Sequence, residues 1–99
     1  MPDRVVVYWR DIPSQVIIKA GRKAAKRQLS DRFQEAIDRA AMRAKLTGTD
    51  AYLEAWRRAD PVPCGDDLEA EAQAAAEAIE AEYTQERLRA LVASGGEAG

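Results

Sequence analysis

Two runs of β-forming residues near the N-terminus constrain the fold of this chain more than any other feature. Residues 4–9 contain Val-Val-Val-Tyr-Trp and residues 15–20 contain Val-Ile-Ile, which are β-branched and aromatic side chains typical of strands. The intervening residues 10–14 include Asp, Pro and Ser, which favour turns. The pattern predicts a β-hairpin whose loop is longer than the two-residue type and whose second strand ends at Gly21.

Each predicted strand carries apolar side chains on both faces. Because successive side chains of a strand point to opposite sides, Val5, Val7 and Trp9 share one face while Val6 and Tyr8 share the other. A lone two-stranded sheet is only marginally stable in water, so one face must pack against helices. The second face also needs a cover, which could be more of this chain, a second copy or a different protein. An exposed strand edge would invite further pairing.

The remainder of the chain predicts about three helices. The first spans residues 30–45, and a start near residue 22 is also open because 22–28 is basic and permits a helix. The second runs to about residue 59. The third helix is capped by Asp66, and a new helical segment begins at Thr84. The third helix is expected to bury little surface, because its apolar stripe is rich in alanine.

The length and this order of elements predict one α+β domain. Ninety-nine residues suffice for one modest hydrophobic core. We expect an N-terminal β-hairpin packed against about three α-helices over residues 1–93, followed by a disordered tail at 94–99.

Composition argues against catalysis. The chain has no histidine, the commonest general base and transition-metal ligand, and a single cysteine, Cys64, set between acidic neighbours. No metal-binding spacing and no glycine-rich phosphate loop occurs, so we expect no enzyme, no metal and no cofactor. We also expect no membrane contact and a cytoplasmic location, since no signal-peptide pattern or long apolar stretch is present.

The charge is distributed unevenly along the chain. Residues 1–46 hold eleven Lys or Arg and five Asp or Glu, whereas residues 47–99 hold four and twelve. A basic segment at 19–27 dominates the first half and would form a compact positive patch if it were helical. Three readings stay open: docking onto an acidic protein, phosphate contact with nucleic acid, or pairing with the glutamate-rich third helix. Overall acidity and few aromatic residues argue against nucleic acid.

The tip of the hairpin is the second candidate contact. A tryptophan beside an apolar loop is either core or a binding hot spot, and core is favoured for Trp9, whereas Ile12 and Pro13 are expected to be exposed. The predicted partner-binding residues are Trp9, Arg10, Ile12, Pro13, Gln15, Arg22, Lys23, Lys26 and Arg27.

Three segments carry a family resemblance. Residues 7–16 read Val-Tyr-Trp-Arg-Asp-Ile-Pro-Ser-Gln-Val, residues 30–41 contain Ser-Asp-Arg-Phe and Ala-Ile-Asp-Arg-Ala-Ala, and residues 49–53 read Thr-Asp-Ala-Tyr-Leu. Together they resemble the small bacterial virulence factor domain family over about residues 4–58. A related segment precedes helical repeats in the longer conserved virulence factor C type. The acidic helix beyond Pro63 fits the short, stand-alone members better.

The resemblance implies no catalytic activity and no site residues. In the longer relatives, the adjacent helical repeats suggest protein–protein contact. The leading hypothesis is therefore a non-catalytic accessory protein that docks an unidentified partner protein through the hairpin and the basic segment. The alternative is a small nucleic-acid-binding module using residues 19–27. A homodimer through the free strand edge is compatible with either.

Overall fold

A five-stranded antiparallel sheet forms the framework of the protein. The computed structural model describes residues 2–97. The strands are β1 (Asp3–Trp9), β2 (Ile12–Ala20), β3 (Lys23–Gln28), β4 (Trp56–Arg58) and β5 (Val62–Pro63). The helices are α1 (Asp31–Arg43), α2 (Asp50–Glu54), α3 (Leu68–Glu82) and α4 (Gln85–Ala93). The strand order is β3-β2-β1-β4, and β5 also pairs with β1. The predicted α+β class is confirmed.

The hairpin turn is shorter than the sequence predicts. β2 begins at Ile12, so only Arg10 and Asp11 separate it from β1. A β-bulge absorbs Ser14, since the register moves from Val7 opposite Gln15 to Tyr8 opposite Pro13. The prediction of a long loop is wrong because a proline is tolerated at a bulge.

The basic segment is a strand rather than the start of a helix. β3 pairs with β2 along six residues, from Gln15 opposite Gln28 to Ala20 opposite Lys23. Gly21 adopts a φ of 60° in the turn that precedes it, a conformation that glycine takes without a steric penalty. Alanine, lysine and glutamine have low strand propensity, so backbone pairing with β2 overrides the local preference.

The second helix is also shorter than predicted. α2 ends at Glu54, and the chain continues as β4 instead of remaining helical to residue 59. β4 pairs with the edge of β1 that β2 leaves free, with Trp56 opposite Trp9 and Arg58 opposite Val7. This pairing provides hydrogen-bond partners for the edge of β1, which a longer helix would have left exposed.

Two apolar clusters form the core. The larger one joins the turn end of the hairpin to α1 and α4, with Trp9, Phe33, Ile37, Leu88 and Leu91 among its members. In the smaller one, α3 packs across the sheet. Its members are Val16, Ile18, Ala25, Ala72 and Ala75. The alanine-rich stripe of α3 thus lets the helix lie close to β2 and β3. Only Ala72 and Ala75 of its 15 residues are buried, as expected for a helix that buries little.

The helix ends follow the predicted capping only in part. Thr84 caps α4 as predicted, with its side chain accepting from Arg87 N, but Asp67 rather than Asp66 caps α3. Ser30 occupies the N-cap of α1 without capping it by its side chain. Its backbone N and hydroxyl donate to the Glu80 carboxylate at 2.7 and 2.9 Å.

This carboxylate ties α3 to the start of α1. Arg32 also donates to Glu80 Oε1 at 3.0 Å. Burial would raise the pKa of Glu80, but the hydrogen bonds from Ser30 and Arg32 outweigh it and lower the pKa below its usual value. The charged carboxylate therefore stabilises the fold near neutral pH, and this contribution is lost in acid as Glu80 takes up a proton.

The residues after α4 contact the turn of the hairpin. Gly96 O accepts a hydrogen bond from Asp11 N at 2.8 Å, and Gly95 and Gly96 are both buried. A Cβ added to Gly96 would lie 2.7 Å from the Trp9 ring, and its φ is 95°. Residues 95–96 thus pack against the hairpin, within the segment 94–99 for which the sequence analysis expects a tail. Residues 98–99 lie outside the described part.

Gly96→Ala is expected to destabilise the protein by about 2–4 kcal/mol, because the positive φ and the indole ring both oppose a methyl group. Gly48→Ala is the matched control. Gly48 has a φ of 76° with nothing within 4 Å of an added Cβ, so it should lose only about 1 kcal/mol. Urea denaturation measures both free energies of unfolding. Equal losses would contradict the packing of this segment on Trp9.

Candidate interaction surface

The apolar residues at the hairpin tip lie in the core. Trp9 and Ile12 are 0% exposed, and Pro13 is also fully buried. Trp9 Nε1 donates to Tyr52 O at 3.0 Å, and the two rings lie 5.6 Å apart. The prediction that Ile12 and Pro13 are exposed is therefore wrong, and the core reading of Trp9 is confirmed. None of the three side chains is open to a partner in this structure.

Arg10 is likewise engaged within the chain. Its Nη1 donates to Gly95 O at 2.9 Å, and its own carbonyl accepts from Arg57 Nε at 2.9 Å. Arg57 also forms an ion pair with Asp11 at 3.1 Å. Segments far along the chain thus fold over the tip, and no local pattern in residues 9–13 could have indicated this.

The strand conformation divides the basic residues between two sides of the sheet. Lys26 lies opposite Ile17, whereas Arg27 lies opposite Val16 and Lys23 opposite Ala20, and neighbours in a strand point to opposite faces. The compact helical patch predicted for residues 19–27 is therefore wrong. Arg22 lies in the turn before β3.

One member of the segment meets the acidic third helix. Arg27 Nη2 lies 4.0 Å from Glu69 Oε2, so pairing between the basic and acidic halves is confirmed at this position. Both side chains are largely exposed, and ion pairs of this kind contribute little to stability.

The face of the sheet opposite α3 has an apolar centre. Val5 lies opposite Ile17 in the register of β1 and β2, and Val7 lies on the same face. Val5 is 8% exposed, Ile17 is 2% exposed and Val7 is 9% exposed. They nevertheless belong to neither core cluster. We call this side, carrying Val5, Val7 and Ile17, the open face.

Polar side chains surround that centre. Strand register places Gln15, Lys19, Lys26 and Arg58 on the open face beside the three apolar residues. The aliphatic stems of lysine and arginine can cover apolar surface while their charged ends stay in water. Three of these four neighbours are cationic, so the open face has a basic rim, with Asp3 and Asp60 as acidic members at one end.

Two shallow depressions lie on the open face. One, of about 390 Å³, is lined by Asp3, Val5, Lys19, Arg58 and residues 59–61. The other, of about 440 Å³, is lined by Val7, Ser14, Gln15 and residues 56–58. Both include Arg58, so they flank one cationic side chain. Gln15, which the sequence analysis selected, lies in this surface together with Lys19 of the predicted basic segment 19–27, whereas Arg58 was not among the predicted contacts.

The edge of the sheet beside the open face is unpaired. Within residues 2–97, β3 pairs only with β2, so its outer backbone groups have no strand partner. Five of its six residues are exposed, and three of the six are Lys or Arg. Lysine on an edge strand discourages unspecific edge-to-edge association.

The single cysteine lies beside acidic side chains. Burial and the nearby Glu71 carboxylate raise the pKa of the Cys64 thiol above its usual value, so it stays protonated at neutral pH. Within residues 2–97, no group of three or more Cys, Asp or Glu side chains is arranged to hold a metal ion. None of the helices in this part of the chain is both long enough and apolar enough to cross a bilayer.

These features define the class of the protein: a small α+β domain whose sheet carries α3 on one face and, on the other, three buried apolar side chains within a basic rim. The family model described as virulence factor matches residues 7–92. The chain therefore belongs to the virulence factor family. The match extends through α3 and α4, well beyond the residues 4–58 that carry the resemblance in the sequence. No curated protein and no solved structure is significantly similar to the chain.

The open face predicts different mutational costs at two adjacent isoleucines. Ile18→Ala should cost about 3–4 kcal/mol, because Ile18 packs beneath α3 and its removal leaves a cavity. Ile17→Ala should cost only about 1–2 kcal/mol, because flexible neighbours on the open face can collapse into the space. Urea denaturation of the two variants provides the comparison. An equal cost at both positions would show that the open face is as rigidly covered as the core.

Proposed function

We propose that the protein is a non-catalytic accessory protein that docks a partner protein through its open face and the adjoining β3 edge. The observation that carries this proposal is the position of Val5, Val7 and Ile17: they form an apolar centre in the sheet, on the face opposite α3 and outside both core clusters. Apolar centres with polar rims are typical of protein interfaces.

The charge of the rim specifies the kind of partner. Lys19, Lys26 and Arg58 surround the apolar centre, and Asp3 and Asp60 oppose them at one end. An acidic protein surface complements this rim and would be steered towards it at low salt. Arg22 and Lys23 extend the positive surface around the β2–β3 turn.

The β3 edge offers a second mode of contact. An extended segment of a partner can add to an unpaired edge by backbone hydrogen bonds. The basic side chains of β3 would favour an acidic segment there. They would oppose a second copy of β3, since two such edges would bring like charges together. This favours a heterologous partner over the homodimer through the strand edge.

Two properties of the chain support a role without catalysis. It has no histidine, and the pKa of its one thiol is raised. General acid–base and nucleophilic mechanisms usually depend on a histidine or an activated nucleophile. Binding through the open face requires neither.

Nucleic acid binding is the alternative function for residues 19–27. It would rest on phosphate contacts from Arg22, Lys23, Lys26 and Arg27. The strand conformation weakens it, since Lys26 and Arg27 point to opposite faces and Arg27 lies beside Glu69. We therefore favour a protein partner and treat nucleic acid as an outcome to be tested.

Site-specific photo-crosslinking in the native host tests the proposal. A benzophenone amino acid replaces Ala24, which is exposed and lies on the open face opposite Lys19. The matched control replaces Gln73, which is exposed on α3. We expect one discrete protein adduct from position 24 and none from position 73. Adding Lys26→Glu should weaken the adduct, because the reversed charge would repel an acidic partner.

Three results would contradict the proposal. They are the absence of an adduct at position 24, equal adducts at positions 24 and 73, and an adduct that nuclease treatment removes. The last would favour nucleic acid. Lys45→Glu serves as the control for charge reversal, because Lys45 is exposed in the loop after α1 and should leave the adduct unchanged.

A further inference from the structure

A groove between α1 and α4 lies apart from the sheet and has no role in the proposed function. It has a volume of about 310 Å³. Both helices contribute side chains at helical spacing to it: residues 32, 35, 36, 39 and 43 of α1 face residues 85, 88, 89, 92 and 93 of α4. Side chains three and four residues apart share one face of a helix, so the walls of the groove are two continuous helix stripes.

Arginine dominates the walls of this groove. Arg32, Arg39 and Arg43 come from α1 and Arg89 from α4, against one carboxylate, Glu35. The groove therefore carries a clear positive excess in a chain whose net charge is −2. Such a local excess in a concave surface raises the affinity for anionic ligands.

Two of these guanidinium groups have no partner among residues 2–97. Arg32 donates to Tyr83 O and to Glu80, and Arg43 Nε donates to Ala93 O at 3.0 Å. Arg39 and Arg89, by contrast, form no hydrogen bond or ion pair with any residue from 2 to 97. They lie on opposite walls of the groove, one on each helix, so an anionic ligand between the helices could contact both.

The floor of the groove is apolar. Ala36 and Leu88 are buried beneath it, and Val92 is half-buried at one end. No aromatic side chain lines the groove, so it offers no surface on which nucleobases could stack. An apolar floor between cationic walls instead suits a ligand that is apolar on one side and acidic along its flanks.

We propose that the groove between α1 and α4 binds an acidic amphipathic helix of a partner protein. Helices of this kind bind grooves through an apolar stripe at i, i+3, i+4 and i+7. From Arg32 to Arg43 the wall spans about 16 Å at 1.5 Å per residue, which matches a helical segment of about three turns. Carboxylates on the flanks of the ligand would pair with Arg39 and Arg89, for which arginine has suitable bidentate geometry.

A synthetic helix tests this inference on the full-length protein. The probe is a fluorescein-labelled 14-residue peptide with leucines at i, i+3, i+4 and i+7 and glutamates on both flanks. The control peptide keeps the leucines and replaces the glutamates with lysines. Fluorescence anisotropy at low salt should show saturable binding of the acidic peptide and at least about tenfold weaker binding of the basic one.

Variants of the protein locate the binding site. Arg39→Glu combined with Arg89→Glu should weaken binding of the acidic peptide about tenfold or more, since both lose a cation and add a repulsive charge. Lys45→Glu combined with Arg87→Glu makes the same change in net charge at residues that do not line the groove and should leave binding within about twofold. Circular dichroism verifies that both double variants are folded.

Each other outcome overturns the inference. These are no saturable binding up to millimolar peptide, equal binding of both peptides, and equal weakening by the two double variants. Tighter binding of a DNA duplex of matched length would assign the groove to nucleic acid instead, and concentration-dependent self-association that the Arg39/Arg89 variant abolishes would assign it to a second copy. The groove variants leave Ala24 and Lys26 unchanged, so this result is separate from the crosslinking test of the open face.

Discussion

The antiparallel pairing of β2 with a strand on each side is the constraint on which the structure depends. It places β2 inside the sheet and fixes which side chains share a face. A shift of one residue would exchange the two faces. Val16 and Ile18 therefore lie beneath α3, while Ile17, between them in the chain, lies on the opposite side with Val5. The apolar residues of β2 thus serve the core on one side and the proposed interface on the other.

Several parts of the fold could be predicted from the sequence because their signals are local. The Val-rich and Ile-rich runs indicated β1 and β2, and the helical spacing of Phe33, Ile37 and Ala41 indicated α1. Thr84 marked the start of α4. The family resemblance indicated the virulence factor family, which the match over residues 7–92 confirms.

The errors arose where distant segments decide the structure. Residues 23–28 have the composition of a helix, but pairing with β2 makes them a strand. Ile12 and Pro13 follow a polar turn and looked exposed, yet they are buried in the structure. The surface seen in the structure therefore differs from the predicted one. It includes Gln15 and Lys26, as predicted, but excludes the apolar hairpin tip. It also includes Arg58, because β4 pairs with β1.

The central claim is that α3 covers one face of the sheet, whereas on the other face the helices reach only the turn end, where Trp9 packs against Tyr52, and Val5, Val7 and Ile17 lie outside both core clusters. A methyl-resolved nuclear Overhauser spectrum of the isolated protein tests it most directly. The account predicts cross-peaks from the Val16 and Ile18 methyl groups to Ala72 and Ala75, and cross-peaks from Ile17 only to other residues of the sheet. Cross-peaks from the methyl groups of Val5, Val7 and Ile17 to protons of any helix would contradict it.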